Sequence, residues 1–305
     1  MKARLVRDRI ILGIAAALLF GGLSVWVALG RPENAEGDRR LYVESMREPP
    51  PLGTDLHPAD PRATAVADAF RRAELGDAPL RVLLSRDHQD IIGVGVAARD
   101  AMSVWTALHG VTAETHLWPV ILGDGFSLAR HADAAAHTST RVQAFLRHAD
   151  ALDLNAWLAA RPTPEPGEPM AIAPRLERWA SVLDPVLGLP LLDVAIALLP
   201  TDRGSDAPAW LAFGNWQGCP EPAVHVAVLR RLEDLAHVEL VAITADRMEL
   251  RVPSPPTDPA TRDQLADLLA RWDPSAFSAD RATIASWSST LVPSRSWSLS
   301  FPRPR

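Results

Sequence analysis

Residues 238–252, VELVAITADRMELRV, hold two short, largely apolar segments joined by a polar turn. Residues 248–252 alternate strictly between apolar and charged side chains, which is the pattern of a strand with one buried and one wet face. This strand is joined to residues 238–243 through the short turn Thr244-Ala245-Asp246, so the two segments are predicted to pair as antiparallel strands. An antiparallel pair among helical segments indicates an α+β architecture.

Two helical patterns flank this pair of strands. One helix opens at Cys219-Pro220-Glu221-Pro222, and the other opens at Asp258-Pro259, where an aspartate cap precedes a first-turn proline. Apolar residues recur at helical spacing in both, namely Val224, Val228, Leu232 and Leu235 in the first and Leu265, Leu268, Leu269 and Trp272 in the second. Each helix therefore has one face suited to a core.

The rest of the chain continues this mixture of strands and helices. Apolar segments predict strands at residues 80–84, 91–97, 118–122, 193–199, 210–213 and 296–301. Helical patterns occupy residues 61–75, 99–108 and 138–160, and the prolines of residues 161–174 predict a loop. We therefore predict an α+β fold with a mixed, partly antiparallel sheet and packed helices.

The composition agrees with a folded domain and excludes several classes of protein. The 305 residues carry a net charge of -6, with 48% hydrophobic and 22% charged residues, which excludes a disordered chain and a multi-span membrane protein. Cys219 is the single cysteine, so no intrachain disulfide framework forms.

Residues 10–29, IILGIAAALLFGGLSVWVAL, run without a charge over the length that a helix needs to cross a bilayer. Four basic residues and one acidic residue precede this run, so the positive-inside bias places the N-terminus in the cytoplasm. The alternative is a cleaved signal peptide, for which Ala28-Leu29-Gly30 is a passable cleavage site, although the apolar run is longer than usual. We predict one N-terminal transmembrane helix that anchors the chain in the inner membrane.

The predicted organisation follows from this anchor. It comprises a cytoplasmic N-terminus at residues 1–9, the anchor at 10–29, a proline-rich tether at 30–61, an α/β region at 62–191 and a C-terminal domain at 192–305. The folded part is expected in the periplasm or outside the cell, and signal cleavage would instead secrete it. Without residues 1–30 the net charge is about -9, which disfavours nucleic acid as a partner.

The C-terminal part resembles the bacterial domain of unknown function 4253 family. The resemblance rests on residues 208–222, PAWLAFGNWQGCPEP, on the helical segment 225–231 and on residues 239–244 with Asp246, Glu249 and residues 253–256. It covers about residues 192–301 and, more loosely, residues 116–123. The string Gly-x-Trp-x-x-Cys-Pro-x-Pro is its most specific part.

The chain departs from the family pattern at several polar positions. Gln217 stands where family members typically carry asparagine. Trp272-Asp273-Pro274-Ser275 stands where they usually show Tyr-Cys-Pro-Asp, and the closing string after Trp297 lacks their final aspartate. If the family is enzymatic, these departures indicate a degenerate member.

Cys219 is the first candidate for catalytic chemistry. It lies where a helix is predicted to start, and the positive end of a helix dipole lowers a thiol pKa. His225 follows six residues later, so on helical spacing its ring is not expected to reach the thiol. The alternative interpretation of Cys219 is a small buried residue that fills the turn after Trp216.

Other candidate sites are weaker. Residues 125–129, GFSLA, resemble a nucleophile elbow around Ser127, but the segments downstream do not fit an α/β-hydrolase. Asp133 and His137 follow His131 by two and six residues, spacings that do not put all three on one helical face, unlike the two histidines four apart in a zinc helix. We predict no metal and no cofactor. Trp210, Trp216 and Trp297 either frame a ligand cleft or belong to the core.

We therefore expect an extracytoplasmic binding or interaction module held at the membrane, for an unidentified protein or small-molecule ligand. The candidate ligand-binding residues are Gly214, Asn215, Trp216, Gln217 and Cys219. The alternative is a hydrolase or transferase that uses Cys219 or Ser127.

Overall fold

The computed structural model describes residues 52–55, 61–72, 79–162, 179–184, 187–216, 218–274 and 283–301. The predicted anchor at residues 10–29 and most of the tether lie outside these ranges. No helix within the described ranges is long and apolar enough to cross a membrane. The description below concerns the compact unit formed within residues 49–183 and 189–305.

Eight strands form a single mixed sheet. They are β1 (Thr54–Asp55), β2 (Leu80–Arg86), β3 (Gln89–Ala97), β4 (Trp118–Gly123), β5 (Asp193–Leu199), β6 (Glu239–Ile243), β7 (Arg247–Arg251) and β8 (Ser296–Ser300). The order is β1-β2-β3-β5-β4-β6-β7-β8, so the two-residue β1 is an edge beside seven longer strands. β4 and β6 pair in parallel, whereas the other neighbours pair antiparallel.

Ten α-helices in the described ranges pack on this sheet. They are α1 (Pro61–Arg72), α2 (Ala101–His109), α3 (Thr112–Thr115), α4 (Gly125–His137), α5 (Val142–Ala151), α6 (Leu154–Ala159), α7 (Ala207–Trp210), α8 (Pro222–Ala236), α9 (Pro259–Trp272) and α10 (Ile284–Thr290). The α+β fold with a mixed sheet and packed helices is therefore confirmed.

The central strand β5 is buried on both faces because helices cover the sheet on both sides. Its residues Val194, Ile196 and Leu198 pack in a core with α1 and α2. The alternate residues of β5 belong to a larger core with α4, α5, α8 and α9. This double burial explains why residues 193–199 are almost continuously apolar.

The sheet joins the two predicted regions at 62–191 and 192–305. β5 lies between β3 and β4, although it follows both of them by about 70 residues or more in the sequence. The boundary at residue 192 therefore does not separate two sheets. Within the predicted tether, residues 54–55 pair with β2 as β1.

Two predicted elements are wrong. Residues 210–213 form no strand. The short helix α7 follows directly on a 3-10 helix at Gly204–Asp206, and Pro208 lies in the first turn of α7, where proline favours a helix. The helix predicted at 138–160 is broken into α5 and α6, where Asp153 caps α6 by accepting a hydrogen bond from the Ala156 amide. The preceding helix α4, capped by Asp124, begins directly after β4.

Candidate functional site

Residues 214–220 form a loop between α7 and α8, named the 214–220 loop, which is closed by backbone hydrogen bonds. The Asn215 amide donates to the Pro220 carbonyl at 2.8 Å, and the Cys219 amide donates to the Trp216 carbonyl at 2.8 Å. Gly214, Asn215 and Gly218 all have positive φ angles, of 113°, 66° and 79°. Left-handed backbone is costly for residues with a Cβ, so the surrounding contacts must hold this loop in place.

Gly214 is required by a close approach as well as by its φ angle. A Cβ at this position would lie 2.1 Å from the Pro220 carbonyl oxygen and 3.0 Å from the His225 ring. No side chain fits at that distance from a backbone atom. The loop therefore closes on itself only with glycine here.

The loop directs its residues partly inward and partly to solvent. Asn215 and Gly218 are exposed, Gly214 and Trp216 are half-buried, and Cys219 is buried. Gln217 lies outside the described residues. The four described site residues, Gly214, Asn215, Trp216 and Cys219, are thus neighbours on one loop, where Asn215 is accessible and Cys219 is buried in the core.

His225 is completely buried beneath the loop. Its Nδ1 accepts a hydrogen bond from the Trp272 indole N–H at 2.9 Å, so the ring proton belongs on Nε2. Nε2 lies toward the Pro220 carbonyl, to which it is hydrogen-bonded, and is 3.4 Å from the Cys219 sulfur. Burial lowers the pKa of His225 to about 3, against the opposing effect of the Pro220 carbonyl.

Aromatic rings surround His225 from three elements. Phe213, Trp272 and Phe301 contact the imidazole edge-on, with ring centroids 5.2, 5.7 and 4.9 Å away. Trp216 packs edge-on against Phe213 at 4.9 Å and connects the loop to this cluster. Such edge-on contacts stabilise aromatic pairs beyond simple burial. The His225 cluster, defined as His225 with these four aromatic residues, therefore fixes the base of the loop.

The Cys219 thiol is not activated. Burial raises its pKa, the nearby Asp273 carboxylate raises it further, and only Arg161 opposes these effects. The helix α8 begins at Pro222, and its N-cap residue is Glu221, so Cys219 precedes the helix. The thiol therefore stays protonated at neutral pH.

The expectation that His225 does not reach Cys219 is wrong, because the two side chains lie 3.4 Å apart. Helical spacing does not apply to them, since Cys219 belongs to the turn that folds back over the first turn of α8. The contact does not make His225 a general base. Its Nδ1 lone pair is occupied by Trp272, and Nε2 already carries the proton.

The sequence analysis missed the residues that complete the surroundings of the loop. The guanidinium of Arg161 stacks on the Trp157 ring at 4.2 Å, just after α6. Its pKa is lowered by desolvation, which the nearby Cys219 partly opposes. Asp273 follows α9 and accepts a hydrogen bond from the Ser300 amide. The sequence around Cys219 and Pro220 gives no indication of contacts with residues as distant in the chain as Arg161 and Asp273.

The other sequence candidates lie elsewhere. Ser127 is the third residue of α4, where its amide donates to the capping carboxylate of Asp124. His131 is buried and its Nε2 donates to the Ile243 carbonyl, while burial lowers its pKa to about 4. Ser127 therefore lies inside a helical turn rather than at the tip of an elbow.

His137 binds Asp133 on the surface of α4, apart from the buried His131. In the ranges that the structure describes, no three histidine, cysteine, aspartate or glutamate side chains form a group able to hold a metal. Of the three tryptophans considered for a cleft, Trp210 and Trp297 are buried, so only Trp216 is accessible beside the loop.

Comparison with known proteins identifies the C-terminal part of the chain. No curated protein matches the sequence, and no solved structure matches it. Residues 195–301 match the family model described as domain of unknown function, DUF4253. This range runs from β5 to the end of β8 and includes the 214–220 loop with the His225 cluster. The resemblance of the C-terminal part to this family is therefore confirmed by the match over residues 195–301.

Proposed function

We propose that the protein is a membrane-tethered, extracytoplasmic α+β module that binds a protein or small-molecule ligand through the 214–220 loop. The observation that carries this proposal is the left-handed backbone at Gly214, Asn215 and Gly218. The glycines adopt this conformation readily, but at Asn215, which has a Cβ, left-handed backbone is energetically costly, and such residues recur at ligand clamps. Loops that bind ligands are typically held by a rigid scaffold, and here the His225 cluster is that scaffold.

The exposed groups of the loop suit recognition by hydrogen bonds and ring contacts. Asn215 offers an amide with two donors and an acceptor, and half-buried Trp216 offers an aromatic surface. Arg161, stacked on Trp157, is a cation close enough to Cys219 to oppose the rise in its pKa. A ligand with a planar or anionic group therefore matches these side chains best.

The alternative function is a hydrolase or transferase that uses Cys219 or Ser127. The 3.4 Å contact between Cys219 and His225 favours a thiol nucleophile. The direction of the Cys219 pKa shift and the occupied Nδ1 of His225 argue against it, since an active cysteine needs a lowered pKa or a free base. The binding module is therefore the better supported proposal.

The tether in this proposal rests on the uncharged run at residues 10–29 and on the basic residues before it. The folded module then lies in the periplasm or outside the cell, with the N-terminus in the cytoplasm. Signal cleavage near residue 30 is the alternative, and it would release the module. The mass of the chain recovered from the membrane fraction distinguishes an intact N-terminus from a cleaved one.

Thiol labelling discriminates the binding module from the enzyme, because Cys219 is the single cysteine. The full chain is incubated with a maleimide in buffer and, in parallel, in denaturant. We expect stoichiometric labelling only in denaturant. Rapid labelling of the folded chain would contradict a buried, protonated thiol and favour the enzyme.

A thermal-shift screen tests the binding role directly. The full chain and the variant Trp216→Ala are screened against the same panel of amino acids, sugars, nucleotides and short peptides. We expect a panel member to raise the Tm of the wild-type chain and to leave the Tm of Trp216→Ala unchanged. Equal shifts in both chains, or no shift in either, would count against the 214–220 loop as the binding surface. The variant Trp179→Phe, at a half-buried indole packed against the core on the other face of the sheet, is the control for removal of an indole outside the loop.

A further inference from the structure

The large hydrophobic side chains that are exposed in the described part of the chain all fall within six residues. They are Leu187, Leu189 and Leu192, with exposed fractions of 62%, 60% and 86%. Leu189 and Leu192 belong to the compact unit described above. Single exposed leucines are unremarkable, but this concentration in one segment is characteristic of an interaction surface. We call residues 189–192 the leucine loop.

Backbone hydrogen bonds hold the leucine loop at one end of the sheet. The Leu191 amide donates to the Val182 carbonyl at 2.9 Å, and the Ala98 amide donates to the Leu192 carbonyl at 3.2 Å. Asp193, the first residue of β5, is paired with Ala97 at the end of β3. The leucines thus protrude from an ordered support beside the C-terminal end of β3.

The described chain begins at this same end of the sheet. Leu52 lies over Gly95 of β3, where an added Cβ would be 3.0 Å from the Leu52 side chain. Gly95 and Ala98 are three residues apart, which is about 10 Å along an extended chain. The point at which residues 30–51 lead toward the apolar run at 10–29 is therefore next to the leucine loop.

We propose that the leucine loop contacts the surface of the lipid bilayer and sets the orientation of the module on the membrane. This inference rests on the proposed function, in which residues 10–29 anchor the chain. A lipid bilayer accounts for both observations. It would cover the exposed leucines, and it holds the far end of the tether, which joins the module at the same end of the sheet. Arg99, which follows Ala98 directly, pairs with Asp100 at 3.4 Å, and 81% of its side chain is exposed. An exposed ion pair of this kind is weak enough to exchange Asp100 for a lipid phosphate.

The strength of this contact fits an orienting role. Burying an exposed leucine side chain contributes about 1.5–3 kcal/mol, so two leucines alone give weak and reversible membrane binding. The tether makes the encounter intramolecular, which raises the effective concentration of lipid at the loop. Because the folded part is acidic, a zwitterionic surface suits it better than an anionic one.

The experiment places a fluorescent label next to the leucines in the full chain. Asp193→Cys is labelled with an environment-sensitive dye, and the chain is reconstituted in vesicles of phosphatidylcholine and phosphatidylethanolamine that contain nitroxide-labelled lipid. Gln89→Cys is the matched control, because Gln89 is exposed at the opposite end of β3. The unmodified chain, in which Cys219 is buried, gives the labelling blank.

We expect the nitroxide lipid to quench the dye at residue 193 several-fold more than the dye at residue 89. The double change Leu189→Ser and Leu192→Ser is expected to lower quenching at residue 193 to the level at residue 89. Equal quenching at both positions in a chain that floats with the vesicles would overturn the leucine-loop contact and leave the tether intact. Failure of the chain to float would overturn both.

The other occupants of the leucine loop give distinct results in the same experiment. A second copy of the chain or another protein would shield the dye at residue 193 from iodide in the buffer without quenching by the nitroxide lipid. That outcome also overturns the bilayer contact.

Discussion

The 214–220 loop and the leucine loop differ in which of their side chains face solvent. The first buries Cys219 and rests on Phe213 and His225, while its exposed tip is small or polar. The second exposes Leu189 and Leu192 and is held by backbone hydrogen bonds to neighbouring segments. Side-chain packing therefore fixes the 214–220 loop, whereas in the leucine loop only Leu191 packs against the core and Leu189 and Leu192 are left to solvent.

The largest effect is expected from His225→Ala. The change removes the acceptor of the Trp272 N–H and leaves a cavity among four aromatic rings, so the free energy of unfolding is expected to fall by about 3–4 kcal/mol. Chemical denaturation of the full chain measures it. His137→Ala is the control, because the His137 side chain is 78% exposed, and its effect is expected within about 0.5 kcal/mol. Similar losses in both variants would contradict the anchoring role of His225.

Two glycine-to-alanine changes compare how the backbone of the 214–220 loop and the backbone just before the leucine loop tolerate a Cβ. Gly214→Ala brings a Cβ to 2.1 Å from the Pro220 oxygen and is expected to cost about 2–3 kcal/mol. Gly188→Ala, two residues before Pro190, meets no atom within 4 Å, so only its positive φ of 64° opposes it, at about 1 kcal/mol. The difference between the two unfolding free energies is the measurement. Equal costs would show that the 214–220 loop relaxes to admit a Cβ.

Lowering the pH is expected to lower the free energy of unfolding through protonation of His225. The pKa of His225 in the folded chain is about 3, below its ordinary value of 6.5, so protons bind more tightly to the unfolded chain. The stability from neutral His225 is therefore complete above pH 6.5 and is lost as the pH falls toward 3. At pH 5.5 the loss is about 1.4 kcal/mol for this one histidine.

Denaturation of wild type and His225→Asn at pH 7.5 and 5.5 isolates this contribution, since His131, with its pKa of about 4, remains in both. A variant as sensitive to acid as the wild type would assign the effect to groups other than His225, such as the histidines at 109 and 131, whose pKa values burial also lowers.

The smallest effect on stability is expected in the leucine loop. Leu192→Ser removes a side chain that is 86% exposed, so the unfolding free energy in detergent is expected to change by less than about 0.5 kcal/mol. Val194→Ser, two residues later on the fully buried part of β5, is the matched contrast and is expected to cost several-fold more. A large loss for Leu192→Ser would show that this leucine is packed in the folded chain.

Local sequence patterns were sufficient for most of the elements but not for their order. The antiparallel strand pair and the helices that begin at Pro222 and Pro259 are confirmed because adjacent residues determine them. The wet face predicted for residues 248–252 is wrong, because Glu249 is buried and its carboxylate accepts hydrogen bonds from the Ala180 and Ser181 amides. The strand predicted at residues 210–213 is wrong because a short apolar run has no periodicity that distinguishes a buried strand from a buried turn. The position of β5 between β3 and β4 depends on pairings between distant residues, which no local pattern encodes.

The candidate site likewise has a part that local sequence reveals and a part that depends on contacts between distant residues. The string around Cys219 is recognisable in the sequence, and the sequence alone gives the family of the C-terminal part. The state of the thiol and of His225 depends on Trp272, Asp273 and Arg161, which the chain brings from more than 40 residues away on either side.

Sequence by itself determined the single cysteine, the acidic balance, the uncharged run at residues 10–29 and the alternating strands, because each is a property of neighbouring residues or of composition. Tertiary structure alone decided that His225 is neutral and hydrogen-bonded to Trp272 and Pro220, and that the leucines at 189 and 192 are exposed. Burial and hydrogen bonding set the pKa of a group, and both arise only when distant segments pack together.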